Sequence, residues 1–266
     1  MTSWLYVESR FPSAATTKPP ILMVHGACSG PWVWEAWQQA LVERGWRCYA
    51  PALRGHRGGP PADLSKVGMD DYLEDIVGVA RYLAEPTVVM GWSMGGLLAL
   101  MFAALAGPRC RGLITLAPSA TAETQKPSSP ESVAAIPEVF GPDYYGIKDD
   151  LATTMRIMPE LTEEECRRVI ALFGPESGIA RRERKIGISI SREKVQSPFL
   201  ILSGGKDRLC PPSLCQSVAD YYGGALLEAS EASHLGIVMS TRLVNGIVSD
   251  VDAWLTRHVL GERTPT

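Results

Sequence analysis

Three observations predict an α/β fold: a mostly parallel central sheet, helices on both of its faces, and an inserted helical segment. Short apolar runs rich in β-branched residues alternate with helical stretches along most of the 266 residues. Those runs lack a polar face, as strands covered on both sides do. The alternation breaks off between Ser119 and about Gln196 and then resumes.

Taken in order, residues 21–24 (Ile-Leu-Met-Val) read as a buried strand, followed by Gly-rich residues and a helix over about 32–44. Residues 47–50 are the next strand, and 51–64, rich in Gly and Pro, are loop. Residues 70–83 form a helix, with Ile76, Val79 and Leu83 at three- and four-residue spacing on one face. Residues 87–90 are a strand that runs straight into Gly91-Trp92-Ser93-Met94-Gly95-Gly96 and another helix, and 112–116 are a strand again. The interrupted stretch carries Pro- and Ser-rich segments, then a helix over 162–173. Its first turn holds Glu163, Glu164 and Glu165, which offset the helix dipole. Strand 199–203, a helix near 213–222, strand 225–228 and a last helix near 241–260 complete the rhythm. The expected organisation is one sheet domain, residues 1–118 and 197–266, with a helical cap, residues 119–196, inserted into it.

Composition narrows the function classes. A hydrophobic fraction of 45% and a net charge of -3 exclude a disordered chain. The 25 Gly follow no three-residue period and the 20 Pro interrupt any long helix, which excludes collagen-like and coiled-coil architectures. With 26 basic against 29 acidic residues there is no basic excess for nucleic acid or an anionic membrane surface. The longest apolar run, 97–106, is far short of the roughly 18 residues of a membrane span. Residues 1–20 lack the basic start and apolar stretch of a secretory signal, so a cytoplasmic location is expected. Six cysteines (28, 48, 110, 166, 210 and 215) invite a disulfide reading, but they form no C-x-x-C pair and some fall in or beside strands. Buried, reduced thiols are expected.

Gly91-Trp92-Ser93-Met94-Gly95 has the form G-x-S-x-G, between an apolar strand and a helix. A tight turn there strains the serine backbone and projects its hydroxyl, and the flanking residues must be small for the turn to close. The helix that follows aims its first N–H groups at a developing anion. A serine hydroxyl needs a base to accept its proton, and imidazole is suited to that. Of four histidines, His234 follows a strand just before the last helix and completes a Ser, acid, His order. A strand-end histidine can also serve only to hydrogen-bond backbone. Asp207, after the 199–203 strand and a Gly turn, is the candidate carboxylate to hold the imidazole tautomer, though a turn Asp can equally cap its own turn. The oxyanion donors are the N–H of Met94, after the nucleophile, and that of Ala27 in Val24-His25-Gly26-Ala27-Cys28. There is no H-E-x-x-H, no Walker-type loop and no G-x-G-x-x-G after a strand, so no metal and no cofactor are expected.

The set His25-Gly26-Ala27, Arg54-Gly55-His56, Gly91–Gly96, Gly204-Gly-Lys-Asp207 and Ser233-His234 resembles the α/β-hydrolase family, in order and over nearly the whole chain. The stretch 25–32 is similar to the plant methylesterase and hydroxynitrile lyase branch. Those lyases usually carry Thr after the His, so Gly26 leans towards an esterase. Gly91-Trp92-Ser93 also looks like bacterial carboxylesterases acting on acyl-chain methyl esters. Ala52 in place of an Asp before Arg-Gly, and Arg57-Gly58-Gly59, depart from the family pattern in a structural loop and leave the subfamily blurred.

The resemblance implies a serine hydrolase acting on carboxylic esters of small or medium apolar acyl or aryl groups. Candidate substrate-contacting residues are Trp92 and Cys28 beside the nucleophile and Phe140, Tyr144, Met155 and Met158 in the cap, although cap aromatics can equally be packing contacts. The basic run Arg181-Arg182-Glu183-Arg184-Lys185 reads as a solvated face, the sharper alternative being a dock for an acidic substrate or an acyl carrier protein. Two rival functions remain: the same three groups used for C–C bond hydrolysis, lyase or perhydrolase chemistry, and a non-catalytic hydrolase-fold receptor.

Overall fold

The structure, a computed structural model, describes residues 5–261. The elements in chain order begin with β1 (Val7–Arg10), β2 (Ile21–Val24), α1 (Glu35–Val42), β3 (Cys48–Pro51), α2 (Met69–Leu83), β4 (Thr87–Trp92), α3 (Met94–Ala106) and β5 (Cys110–Leu116). The insertion supplies α4 (Pro130–Ala134), β6 (Val139–Phe140), α5 (Leu151–Ile157), α6 (Glu163–Leu172), β7 (Glu176–Ser177) and α7 (Gly178–Ile186). Then come β8 (Phe199–Gly204), α8 (Pro212–Tyr222), β9 (Ala225–Ala229), α9 (Gly236–Met239) and α10 (Thr241–His258). The main sheet has the order β1-β3-β2-β4-β5-β8-β9; β1 pairs antiparallel with β3 and every other pairing is parallel.

The strands carry apolar residues on both faces because each face has its own core. Ile21 and Met23 of β2 and Val88 and Met90 of β4 join Trp34, Trp37 and Leu41 around α1 and the inner faces of α9 and α10. Leu22, Val24 and Val89 point the other way, into a cluster with Met69, Tyr72 and Ile76 of α2, with α3, and with Cys215 and Val218 of α8. Each such aliphatic side chain taken out of water contributes about 1.5–3 kcal/mol, and β2, β4 and β8 are buried along their whole length.

The insertion adds no strand to the main sheet. β6 and β7 form a separate antiparallel ribbon, and α6 opens with a capping box in which Thr162 and Glu165 satisfy each other's backbone N–H. The insertion docks through carboxylates as well as apolar side chains: Glu183 on α7 accepts from the Met69 N–H at 2.7 Å, at the start of α2.

Two features differ from the sequence expectation. β1 is an edge strand, largely half-buried, with no apolar run to announce it. The basic run is not a solvated face: it lies on α7, where Arg184 is 4% exposed and Arg182 donates to the Ile136 carbonyl. All six cysteines are free and buried. Among the described residues no helix is long and apolar enough to cross a membrane.

Candidate active site

Ser93 sits at the joint between β4 and α3 with φ +56° and ψ −117°. A non-glycine residue there stores about 1–3 kcal/mol of strain, which the surrounding packing must hold. The packing is tight: a Cβ on Gly91 would lie 2.0 Å from the Gly95 carbonyl oxygen, and one on Gly95 would lie 2.2 Å from that of Val24. The turn closes only with hydrogen at both positions.

His234 and Asp207 converge on that hydroxyl from the ends of β9 and β8. His234 Nε2 lies 2.9 Å from Ser93 Oγ, and His234 Nδ1 lies 2.7 Å from Asp207 Oδ2. The other Asp207 oxygen, Oδ1, accepts from the N–H groups of Leu209 (2.8 Å) and Cys210 (2.9 Å), which fixes the carboxylate plane. With Asp207 accepting at Nδ1, the imidazole carries its proton there and leaves Nε2 free to accept from the hydroxyl. Trp92 is 2% exposed, donates Nε1–H to the His234 carbonyl at 2.8 Å and lies with its ring 5.2 Å from the imidazole. It is a buried support behind His234.

The loop after β2 faces Ser93 from the other side. The Gly26 carbonyl, in the same peptide as the Ala27 N–H, accepts from His25 Nδ1 (2.9 Å) and Ser29 Oγ (2.8 Å). His25 Nε2 in turn accepts from the Leu53 N–H. Burial, with His56 beside it, lowers the His25 pKa to about 3, so this ring is a neutral fixture of the loop. A Cβ on Gly26 would lie 2.6 Å from the Trp92 ring and 3.1 Å from Ser93 Cβ, which is why no side chain fits between this loop and Ser93. The Cys28 N–H is committed to Glu176 Oε2 at 3.1 Å. No hydrogen bond among the described residues takes up the Ala27 N–H or that of Met94, the first residue of α3.

Of the residues expected to contact substrate, Met158 lines a cleft of about 830 Å³ between the insertion and the loops carrying Asp207 and His234. Tyr145, Ile147, Ile157, Leu209 and Leu235 add to its apolar wall, with exposed Arg156, Lys206 and Arg208 also along it. Phe140 is 6% exposed and packs on Tyr144 and Tyr145, Met155 is exposed, and Cys28 is fully buried with its thiol pKa pushed up by burial.

Two buried glutamates of the insertion lie outside the sequence reading. Glu176 accepts from Cys28 N–H and His56 Nε2 through one oxygen, and from Tyr72 OH and Ser177 N–H through the other. Burial pushes its carboxyl up, but His56 and Arg184 outweigh that and hold it at about 2. Glu160 accepts from the Ser233 N–H at 2.9 Å, one residue before His234. Neither has a local signature, because apart from the Ser177 N–H beside Glu176 the donors each one serves are far away in the chain.

The alpha/beta hydrolase family model matches residues 21–245, and the chain belongs to that family. It is 31% identical over 113 residues to a pyrethroid hydrolase of Sphingobium wenxiniae, covering 41% of this chain and 40% of that one. It is 28% identical over 210 residues to a pimeloyl-[acyl-carrier protein] methyl ester esterase of Neisseria meningitidis serogroup B, covering 71% and 76%. A solved esterase from Thermogutta terrifontis superposes with a TM-score of 0.70 at 21% identity, over 96% of this chain and 94% of that one. Polyneuridine aldehyde esterase superposes with a TM-score of 0.68 at 16% identity, over 88% and 99%.

Proposed function

We propose that the protein is a serine hydrolase of carboxylic esters, with Ser93 as nucleophile, His234 as base and Asp207 as the group that orients it. The observation that carries this is the continuous chain from Ser93 Oγ through His234 to Asp207, at 2.9 and 2.7 Å. Ser93 attacks the ester carbonyl as His234 Nε2 takes its proton; Asp207 stabilises the imidazolium. The N–H groups of Ala27 and Met94 receive the oxyanion. His234 then protonates the departing alcohol, deprotonates the water that attacks the acyl-enzyme, and returns the proton to Ser93 as the acid leaves. These steps draw on protein groups and water alone.

In this reading residues 119–196 are a cap over the catalytic core. The apolar wall around Met158, Tyr145 and Ile157 favours a small or medium apolar acyl or aryl group. Arg156, Lys206 and Arg208 along the same cleft suit an acidic carrier. The esterase named for a methyl ester on acyl carrier protein is the relative that supports such a substrate. The free, buried thiols fit a reducing, cytoplasmic compartment.

The test is turnover of a p-nitrophenyl ester series, with the free acid identified, by the protein and by Ser93→Ala. Hydrolysis lost in the variant supports the reading, and full activity in Ser93→Ala refutes it. A reactive Ser93 that leaves esters intact while cleaving a carbon–carbon or cyanohydrin substrate would select the lyase-type alternative.

A further inference from the structure

We propose that Glu176 is a positioning residue for the oxyanion loop, so that the cap, through this one carboxylate, sets where the Ala27 N–H points. The inference rests on the hydrolase reading above and adds a role for a residue 83 positions from Ser93 in the chain.

Cys28, the residue after Ala27, has φ +60°, a left-handed conformation that costs a side chain such as cysteine free energy. Both of its backbone groups are held, and both by the cap. Its N–H donates to Glu176 Oε2 at 3.1 Å, and its carbonyl accepts from the Gly174 N–H at 2.8 Å. On the other side of Ala27, the Gly26 carbonyl is held by His25 and Ser29. Ala27 is therefore suspended between two anchored peptides, one fixed by the core and one by the cap.

The cap-side anchor is rigid because the carboxylate is itself pinned. Tyr72 OH on α2 donates to Oε1 at 2.7 Å, the Ser177 N–H donates to the same oxygen at 2.7 Å, and His56 Nε2 lies 3.1 Å from Oε2. Glu176 is 0% exposed, so water cannot replace a lost partner. A bare carboxylate beside the oxyanion loop would oppose the charge that forms there. Buried Arg184 on α7 offsets its charge, and His56 Nε2 lies within hydrogen-bond distance of Oε2. The arrangement holds the loop by its backbone while leaving the Ala27 N–H free for the oxyanion.

The test compares kcat, KM and boronic acid affinity in the full-length protein and its variants. An alkyl boronic acid forms a tetrahedral anion on serine and reads the oxyanion contacts directly. Glu176→Gln keeps the volume but sets an NH₂ against one of the N–H or O–H donors. Removing an oxyanion donor outright costs 10²–10³ in kcat, so misdirecting one is expected to lower kcat about 10- to 100-fold. KM should stay within about twofold, because ground-state binding does not use the oxyanion contact. Boronic acid affinity should fall with kcat.

Tyr72→Phe removes one donor and leaves the loop untouched, and should lower kcat and boronic acid affinity about threefold. A folded Glu176→Gln with wild-type kcat and boronic acid affinity, and only a lower Tm, overturns the proposal. Should that variant not fold, Tyr72→Phe decides: unchanged kcat and affinity overturn the proposal, and a joint fall supports it. Full turnover by Ser93→Ala instead overturns the hydrolase reading, and this inference with it.

Discussion

Asp207→Asn replaces one oxygen by an NH₂ at constant volume, and the structure dictates which way the amide must face. Oδ1 accepts from two backbone N–H groups, Leu209 at 2.8 Å and Cys210 at 2.9 Å. Turning the NH₂ towards those two donors would lose both bonds in a site only 4% exposed. The NH₂ must therefore face His234 Nδ1, 2.7 Å from the oxygen it replaces. A donor there forces the imidazole proton onto Nε2, the atom 2.9 Å from Ser93 Oγ, and the ring can no longer accept the serine proton. The expected loss in kcat is about 10⁴-fold, or about 5 kcal/mol of transition-state stabilisation, with KM nearly unchanged. Steady-state turnover of p-nitrophenyl butyrate measures it, with thermal unfolding to show that the variant is folded. A folded Asp207→Asn within about tenfold of wild-type kcat would refute the tautomer argument.

Gly26→Thr sets a Cβ 2.6 Å from the Trp92 ring, which must move and drag on the His234 carbonyl it supports. We expect about 1–3 kcal/mol of destabilisation by denaturant titration together with a fall in esterase kcat. Trp92→Phe removes the Nε1–H donor together with part of a buried indole ring, which leaves the His234 carbonyl unpaired and a void beside it. It should cost about 1–3 kcal/mol of stability and a smaller share of activity, checked by the same two assays. Glu176 has its pKa lowered to about 2 from an ordinary 4.5, so the folded state favours its ionised form. That contribution is fully present above pH about 4.5 and is lost as pH falls towards about 2. Acid unfolding followed by circular dichroism should show the loss, and Glu176→Gln should flatten the curve over that window.

How far the sequence could be read depended on whether cause and effect lay close together in the chain. β2, β4, β5 and β8 were legible because strands covered on both faces are mostly apolar, as 21–24 and 88–90 are. The Ser93 turn was legible because its steric demands fall on its immediate neighbours, Gly91 and Gly95. β1 was not, since a half-buried edge strand needs no continuous apolar run. The basic run on α7 misled because its charge was visible while Arg184's burial beside Tyr145 and Glu176 was not. Glu176 itself answers to donors at positions 28, 56 and 72, a relationship only the folded chain creates.

The proposed mechanism requires Ser93 to be an activated nucleophile. Treating the folded protein with a fluorophosphonate and mapping the adduct by mass spectrometry tests that directly. The expected result is one stoichiometric adduct on Ser93, absent from Ser93→Ala and formed far more slowly in Asp207→Asn. An unlabelled wild-type protein, or equal labelling of Ser93→Ala, would contradict it.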